Sequence, residues 1–403
     1  MTRILKQATE TSVESSAPSA RDAFSFRVLR PALTSVLKLA NAVADRRSTL
    51  KALGNVAIRV QDGEVSVTAT DLNVSMVADL VSADVRGSGG VMLPVKPFLD
   101  LVSGFEGDEI EIDVEPGKLR VSCPGRLAVL NATPDRDFPR VPTAPDDDAF
   151  GNTSAEAFAE LLGTVDHAVC EDQTRFHLNG VYLTSELEGF VIAVATDGHR
   201  LALAERAFST IRLPRPGVIV PSKGVAAISK LLGKGSCNIA ATESHLFVRH
   251  GHATRVTLAV KTIAAQFPPY RQVIPTHDDR CVTVERKALI AALKRAKVTC
   301  TRTRGAKLTA GDGKLVIASD APDTGETSEV LRATGLYVEG PESFSIGVNA
   351  SYLLDALAQI DDKHVTIAFG SELDPMLVRS TEHACSNPPG NAPTLFVIMP
   401  MRI

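Results

Sequence analysis

The chain has 403 residues, 44% of them hydrophobic and 22% charged, and its 43 Lys and Arg against 47 Asp and Glu leave a net charge of −4 at pH 7. That length suits two to four domains, each able to bury its own core, and the charge by itself points away from nucleic acid. The absence of a long apolar stretch and of an apolar N-terminal segment argues against a membrane span or a secretory signal, so a soluble cytoplasmic protein with no cofactor is expected.

Residues 1–23, rich in Ser, Thr and Ala and without periodicity, read as a disordered leader. Phe24-Ser25-Phe26 opens a first domain, 24–147, with a helix over Pro31–Ala44, short alternating strands, a second helix from Val95, and strands ending near Pro142. In a second domain, 148–278, Thr153 and Glu156 have the spacing of a capping box for a helix running to Ala168, and another helix begins near Ser222. A third domain, 279–403, starts near Val282, with helices over Arg286–Val298 and Ala350–Ile360. Each domain reads as strand, helix, three strands, then the same again. The expected fold is α+β, in three tandem copies.

Recurring landmarks carry the tandem reading. Ala69-Thr70-Asp71, Ala195-Thr196-Asp197 and Ala318-Ser319-Asp320 each close an apolar run. Phe138-Pro139, Phe267-Pro268 and Met399-Pro400 follow in the same phase, and Pro94-Val95-Lys96, Pro221-Ser222-Lys223 and Val348-Asn349-Ala350 lead into helices.

The helices repeat a pattern. Leu33, Val36, Leu37 and Ala40 share one face with Lys38 opposite, and Lys96 stands opposite Phe98, Leu101 and Val102. Lys223 and Lys230 oppose Val225, Ile228 and Leu232, while Lys287 and Lys294 oppose Leu289, Leu293 and Ala296. Outward lysines are common on any amphipathic helix. Their recurrence at equivalent positions suits a basic stripe for phosphates, incomplete where the helix from Ala155 shows Glu156, Glu160 and His167 outward and the last helix Ser351 and Asp355, and without base readout, since the chain has no Trp and only 5% aromatics.

Catalytic and metal signals are weaker. Asp197 and His199 could form a general-base pair, but the turn reading, with Asp capping backbone amides, is preferred because Asp71 and Asp320 keep the same phase. His245, His250 and His252 lack a completing Cys or acidic ligand, Gly233-Lys234-Gly235 is a loop and not a nucleotide cradle, and the six cysteines stand singly as structural thiols. No metal site and no catalytic residue are expected.

Leu178-Asn179-Gly180-Val181, then Ala195-Thr196-Asp197-Gly198-His199-Arg200-Leu201-Ala202, resembles the central signature of the bacterial β sliding clamp family. Arg47-Ser48-Thr49-Leu50, Phe267-Pro268-Pro269-Tyr270-Arg271, Asn349-Ala350-Ser351-Tyr352 and Met399-Pro400-Met401-Arg402-Ile403 extend the likeness over residues 24–403. The resemblance implies a head-to-tail homodimer of six domains, a ring around duplex DNA with helices inside and sheets outside. It implies a processivity factor that tethers the replicative polymerase, the clamp loader and repair proteins through short linear peptides. Any ATP used in opening the ring would belong to the loader.

Carried over from the family, the peptide site comprises Leu178, Thr196, Gly198, His199, Arg200, Leu201, Pro268, Val273, Asn349, Tyr352, Val397, Ile398, Met399, Pro400, Met401 and Arg402. Gln272 stands where the family often has a basic residue and Thr303 where an aromatic occurs, so peptide preference is expected to differ. The resemblance adds Arg47 and Arg175 to the lysines as DNA contacts, and Leu130 and Val298 to the dimer interface. The alternatives are a diverged repeat scaffold that binds peptides without encircling DNA, and an α+β hydrolase using Asp197 and His199.

Overall fold

A computed structural model describes residues 23–251, 254–275, 280–300, 304–338, 343–381 and 393–402. Of the expected features, the leader up to residue 22, His252, Thr303 and Ile403 lie outside the described residues. The chain divides into two compact units, Met1–Val141 with His252–Val256, and Pro142–Gly251 with Thr257–Ile403.

Among the described residues six α-helices form where the apolar spacing places them: α1 (Arg30–Val43), α2 (Val95–Gly104), α3 (Ala155–Asp166), α4 (Ser222–Leu231), α5 (Arg286–Ala296) and α6 (Ala350–Ala358). They pack in pairs, α1 on α2, α3 on α4 and α5 on α6. In α1, Pro31 sits in the first turn, where its missing N–H costs no helix bond, and Leu33, Val36, Leu37 and Ala40 are buried as expected. In α2 the buried face is Val95, Phe98, Leu99 and Val102. Leu99 therefore fills the place expected for Leu101, which is half-buried.

The start of α3 corrects the predicted cap by one residue. Ser154 is the N-cap, its Oγ accepting from the Ala157 N–H at 3.1 Å. Thr153 is held instead in the strand Gly151–Ser154, paired opposite Cys237. Glu156 does not close the box on the cap's own N–H; its carboxylate accepts from Ser154 Oγ at 3.0 Å and from the Gly235 N–H at 3.1 Å.

In the first unit, five antiparallel strands follow the order 82–87, 24–29, 109–115, 118–123, 126–131. Strict alternation sets their inner face: Ile110, Ile112 and Val114 are buried while Glu109, Glu111 and Glu115 face solvent. A second run in this unit orders 133–134, 89–94, 55–61, 64–70 and 74–80. Here the expected third strand is split at Val81, with 74–80 pairing to 64–70 and 82–87 pairing to 24–29. The corresponding segment of the third repeat is one long strand, Gly325–Val338, which pairs with 314–321 and then with 280–285.

In the second unit, twelve strands make a continuous sheet in the order 218–221, 180–184, 190–196, 200–207, 394–398, 376–380, 364–369, 280–285, 325–338, 314–321, 305–311, 343–349. The second and third repeats meet where 200–207 pairs antiparallel with 394–398, Arg200 opposite Ile398 and Ala204 opposite Thr394. That ladder makes the two repeats one unit. Among the described residues, no helix is long and apolar enough to cross a membrane.

Candidate functional site

The turn between strands 190–196 and 200–207 is built by its own side chains. Asp197 Oδ1 accepts from the His199 N–H at 2.8 Å and the Arg200 N–H at 3.0 Å, and Thr196 Oγ1 donates to the Arg200 carbonyl at 2.6 Å. Gly198 has φ +88°, and a Cβ there would lie 2.9 Å from the Arg175 guanidinium. Asp71 makes the same turn in the first repeat, accepting from the Asn73 and Val74 N–H groups at 2.9 and 2.6 Å. The Asp197 carboxylate is thus spent on backbone amides and on Arg200, which leaves the base-pair reading with His199 no geometric support.

Arg200 ties the two repeats together at this turn. Its Nε lies 3.0 Å from Asp197 Oδ2, its Nη1 lies 2.6 Å from Asp355 Oδ2 on α6, and its guanidinium sits 4.5 Å from the centroid of the Tyr352 ring. Burial, then the nearby Asp197 carboxylate, raises the Tyr352 phenol pKa above its usual value. Behind them His167 packs 5.7 Å from the Phe396 ring, and burial followed by the Arg200 charge lowers its imidazole to about 4.

Two hollows flank the turn. One, of about 960 Å³, is lined by His167, Arg175, His199, Arg200, Lys223 and Tyr352 among others. The second, of about 670 Å³, lies along the C-terminal tail, where Met399, Pro400, Met401 and Arg402 face Leu373 and Lys307. The tail is pinned by the Met399 N–H to the His199 carbonyl at 2.9 Å and the Met401 N–H to the Gly347 carbonyl at 2.8 Å.

The structure sorts the expected peptide residues into lining and core. His199, Val273, Met399 and Arg402 are exposed, and Thr196, Pro268, Tyr352, Pro400 and Met401 are half-buried. Leu178, Leu201, Val397 and Ile398 are 6%, 3%, 1% and 1% exposed. The first three belong to one apolar core with Phe267, Tyr270 and Ile274. Val397 and Ile398 point to opposite faces of their strand and both are covered, because the sheet is buried on both sides here, so these side chains support the hollows and do not line them. Asn349 is the N-cap of α6, its Oδ1 accepting from the Ser351 N–H at 2.9 Å, which engages the oxygen in starting the helix. Gln272 is exposed beside Val273.

Lys38, Lys96, Lys223, Lys230, Lys287 and Lys294 are all exposed, though Lys96 is paired with Asp100 at 2.5 Å. Arg47 is exposed in a turn held by its own N–H to Asp45 Oδ1 at 3.0 Å. Arg175 is placed differently. Its Nη1 donates to the Asp197 carbonyl at 2.7 Å, which lays it against the turn inside the larger hollow. The remaining histidines have local partners: His245 Nδ1 lies 2.9 Å from Ser244 Oγ, and His250 Nε2 accepts from the Gly233 N–H at 3.3 Å.

On the edge strand Arg126–Asn131, Leu130 is half-buried opposite Leu119, and the apolar side chains facing solvent are Leu127 and Val129, 65% and 49% exposed. Val298, just after α5, is 73% exposed, and Val330 on the long strand is 59% exposed. The sequence reading missed Leu127, Val129, Val330, Asp355, Lys307 and Leu373. Leu127 and Val129 follow from the period of two once the strand's inner face is known; the others have no local signal.

Family models of the DNA polymerase III beta subunit match three successive stretches of the chain: the N-terminal domain over 24–142, the central domain over 152–269 and the C-terminal domain over 271–402. The chain belongs to the beta sliding clamp family. The beta sliding clamp of Pseudomonas putida is 31% identical over 382 residues, covering 94% of this clamp and 100% of the relative, and that of Escherichia coli K12 is 29% identical with the same coverage. The crystal structure of the DNA polymerase III subunit beta from Pseudomonas aeruginosa, 30% identical, covers 94% of this clamp and 100% of that chain with a TM-score of 0.83. A sliding clamp from the same organism bound to griselimycin matches with the same score, identity and coverage. The match through all three repeats supports the clamp reading and gives none to the diverged scaffold or the hydrolase. Three tandem clamp domains account for the periodic landmarks.

Proposed function

We propose that this clamp acts as a head-to-tail homodimer that encircles duplex DNA and holds the replicative polymerase, the clamp loader and repair proteins to it through short linear peptides. The observation that carries the ring is the open edge strand 126–131, which shows Leu127 and Val129 of the first repeat to solvent, while Val298 and Val330 are exposed in the third. An uncovered apolar edge invites a strand or surface from another copy. Because the two patches differ, the contact is heterologous, and it closes as a ring when the rotation permits.

Arg47 and the outward lysines supply sequence-independent phosphate contacts, weak and screened, so the ring slides. The hollows beside Arg200 and the tail take the partner peptide, with Met399, Met401 and Leu373 as an adaptable apolar surface. In this reading the clamp is a cytoplasmic tether that performs no chemistry of its own, and ATP is spent by the loader.

The test is to load the protein with a clamp loader onto nicked circular plasmid and then linearise the DNA. A protein of twice the chain mass by light scattering, retained on circles and released by cutting, is expected. A monomer, or retention indifferent to cutting, would overturn the ring. Griselimycin binding measured by calorimetry tests the peptide site separately, and its loss on replacing Met399 by Glu is expected.

A further inference from the structure

We propose that Glu186 is a positioning residue for the peptide site: its carboxylate fastens the segment between the second and third repeats in the conformation that presents Pro268 and Val273. The inference rests on the peptide reading above.

The segment Phe267–Val273 leaves the second repeat and includes a short turn of helix, Tyr270–Val273. Its inner side chains, Phe267 and Tyr270, and Ile274 just after it share a core with Leu201 and Val397, which belong to the strands next to His199 and Met399. On the outer side stand half-buried Pro268 and Val273, 43% exposed. A backbone segment without ladder partners holds such a shape only if its side chains are fixed elsewhere.

Two contacts fix it to the second repeat. The Phe267 ring stacks on Tyr182 with centroids 4.8 Å apart and planes 4° apart, and the Tyr182 hydroxyl donates to the Pro216 carbonyl at 2.8 Å. The second contact converges on Glu186, in the loop after strand 180–184. Tyr270 donates its hydroxyl to Glu186 Oε1 at 2.5 Å, while Arg271 gives Nε at 2.8 Å and Nη2 at 2.7 Å to Oε2. Consecutive residues of the segment thus end on the two oxygens of one carboxylate. Partial burial opposes its charge, but the bonds from Arg271 and Tyr270 outweigh that and hold its pKa below the usual glutamate value. Burial and the same carboxylate push the Tyr270 phenol up.

The pair is no large source of stability, because Glu186 and Arg271 are 39% and 49% exposed and surface ion pairs contribute little. Its effect is geometric. Without Glu186, Arg271 turns to solvent, the buried Tyr270 hydroxyl loses its acceptor, and the turn that carries Val273 is free to rotate. Gln272 leaves Arg271 as the one cation on this turn, and Glu186 keeps that cation off the ligand.

The experiment measures griselimycin affinity by calorimetry for the full-length protein, Glu186→Ala, Glu186→Gln, Tyr270→Phe and the Glu186→Ala/Tyr270→Phe double variant. Thermal midpoint and oligomeric mass are measured in parallel. Glu186→Ala is expected to lose about tenfold in affinity with little change in midpoint. Glu186→Gln, which still accepts from Tyr270, is expected to recover part of the loss, and the double variant to lose less than the sum of the two single changes. Unchanged affinity in Glu186→Ala, or a falling midpoint with affinity intact, makes the contact merely structural and overturns the proposal. Should Glu186→Ala fail to fold, Tyr270→Phe keeps the ring in the core and decides alone: full affinity there overturns it. If the unaltered protein binds no griselimycin, the peptide reading fails and takes this one with it.

Discussion

Arg200 and Asp355, 155 residues apart in sequence, meet with Nη1 2.6 Å from Oδ2, and the same guanidinium lies 4.5 Å from the Tyr352 ring centroid. One side chain from the second repeat thereby fixes α6 of the third beside the turn that carries His199. Asp355 is 46% exposed, so removing it costs at most about 1 kcal/mol of stability. Asp355→Ala is expected to weaken griselimycin binding by roughly three- to tenfold, an energy of about 1 kcal/mol, because Arg200 then keeps Asp197 as its carboxylate partner and the Tyr352 ring but loses its ion pair to α6. Calorimetry on the folded variant checks this, and an unchanged affinity would show that the Asp197 contact suffices.

His167 gives the clamp a pH dependence with a defined sign. Its imidazole falls from 6.5 in the unfolded chain to about 4 in the fold, so between those values the unfolded state binds the extra proton. The contribution is complete above pH 6.5 and is lost as pH falls toward 4, by roughly 3 kcal/mol in all. Urea titrations at pH 7 and pH 4.5 should show the loss, and His167→Phe should flatten it. A variant that retains the full slope would assign the effect to carboxylates.

Gly224 is buried inside α4, where alanine would ordinarily gain about 1 kcal/mol of helix propensity. A Cβ built there runs into the Val260 side chain. Gly224→Ala is therefore expected to destabilise by about 1–3 kcal/mol through overpacking. Chemical denaturation reads the sign directly, and stabilisation would mean that Val260 can move aside.

Leu127→Lys places a charge on a side chain already 65% exposed, so the folded chain should tolerate it within about 0.5 kcal/mol. The dimer should not. Light scattering is expected to report the mass of one chain at concentrations where the unaltered protein reports two, and a persistent dimer would move the interface off strand 126–131.

Lys230 and Lys287 are exposed on α4 and α5. If each contacts a phosphate, replacing both by Gln should reduce the slope of log affinity against log salt for short duplex DNA by about 0.9 per lysine. Fluorescence anisotropy at several salt concentrations measures the slope, and an unaltered value would remove these two from the DNA face.

Local patterns in the sequence were sufficient for three repeats, six helices, the buried faces of α1, α4 and α5 and the turn role of Asp197, since each depends on a period of 3.6 or 2 or on side chains a few positions apart. Motif likeness reached the tail and the Thr196–Leu201 turn. It could not tell lining from core: Leu178, Leu201, Val397 and Ile398 carry the motif yet are buried, because both faces of the strand 394–398 are covered and only tertiary packing decides that. The phase of the pleat makes Leu127 and Val129, and not Leu130, the exposed apolar side chains of the edge strand. The shift of the α3 cap from Thr153 to Ser154 has a similar origin, for pairing with Cys237 extends the strand by one residue. Only the tertiary structure brought Arg200 to Asp355 and Glu186 to Tyr270 and Arg271, because contacts across 84 to 155 residues leave no periodicity in the chain, and the first of them exists only once the sheet has joined the second repeat to the third.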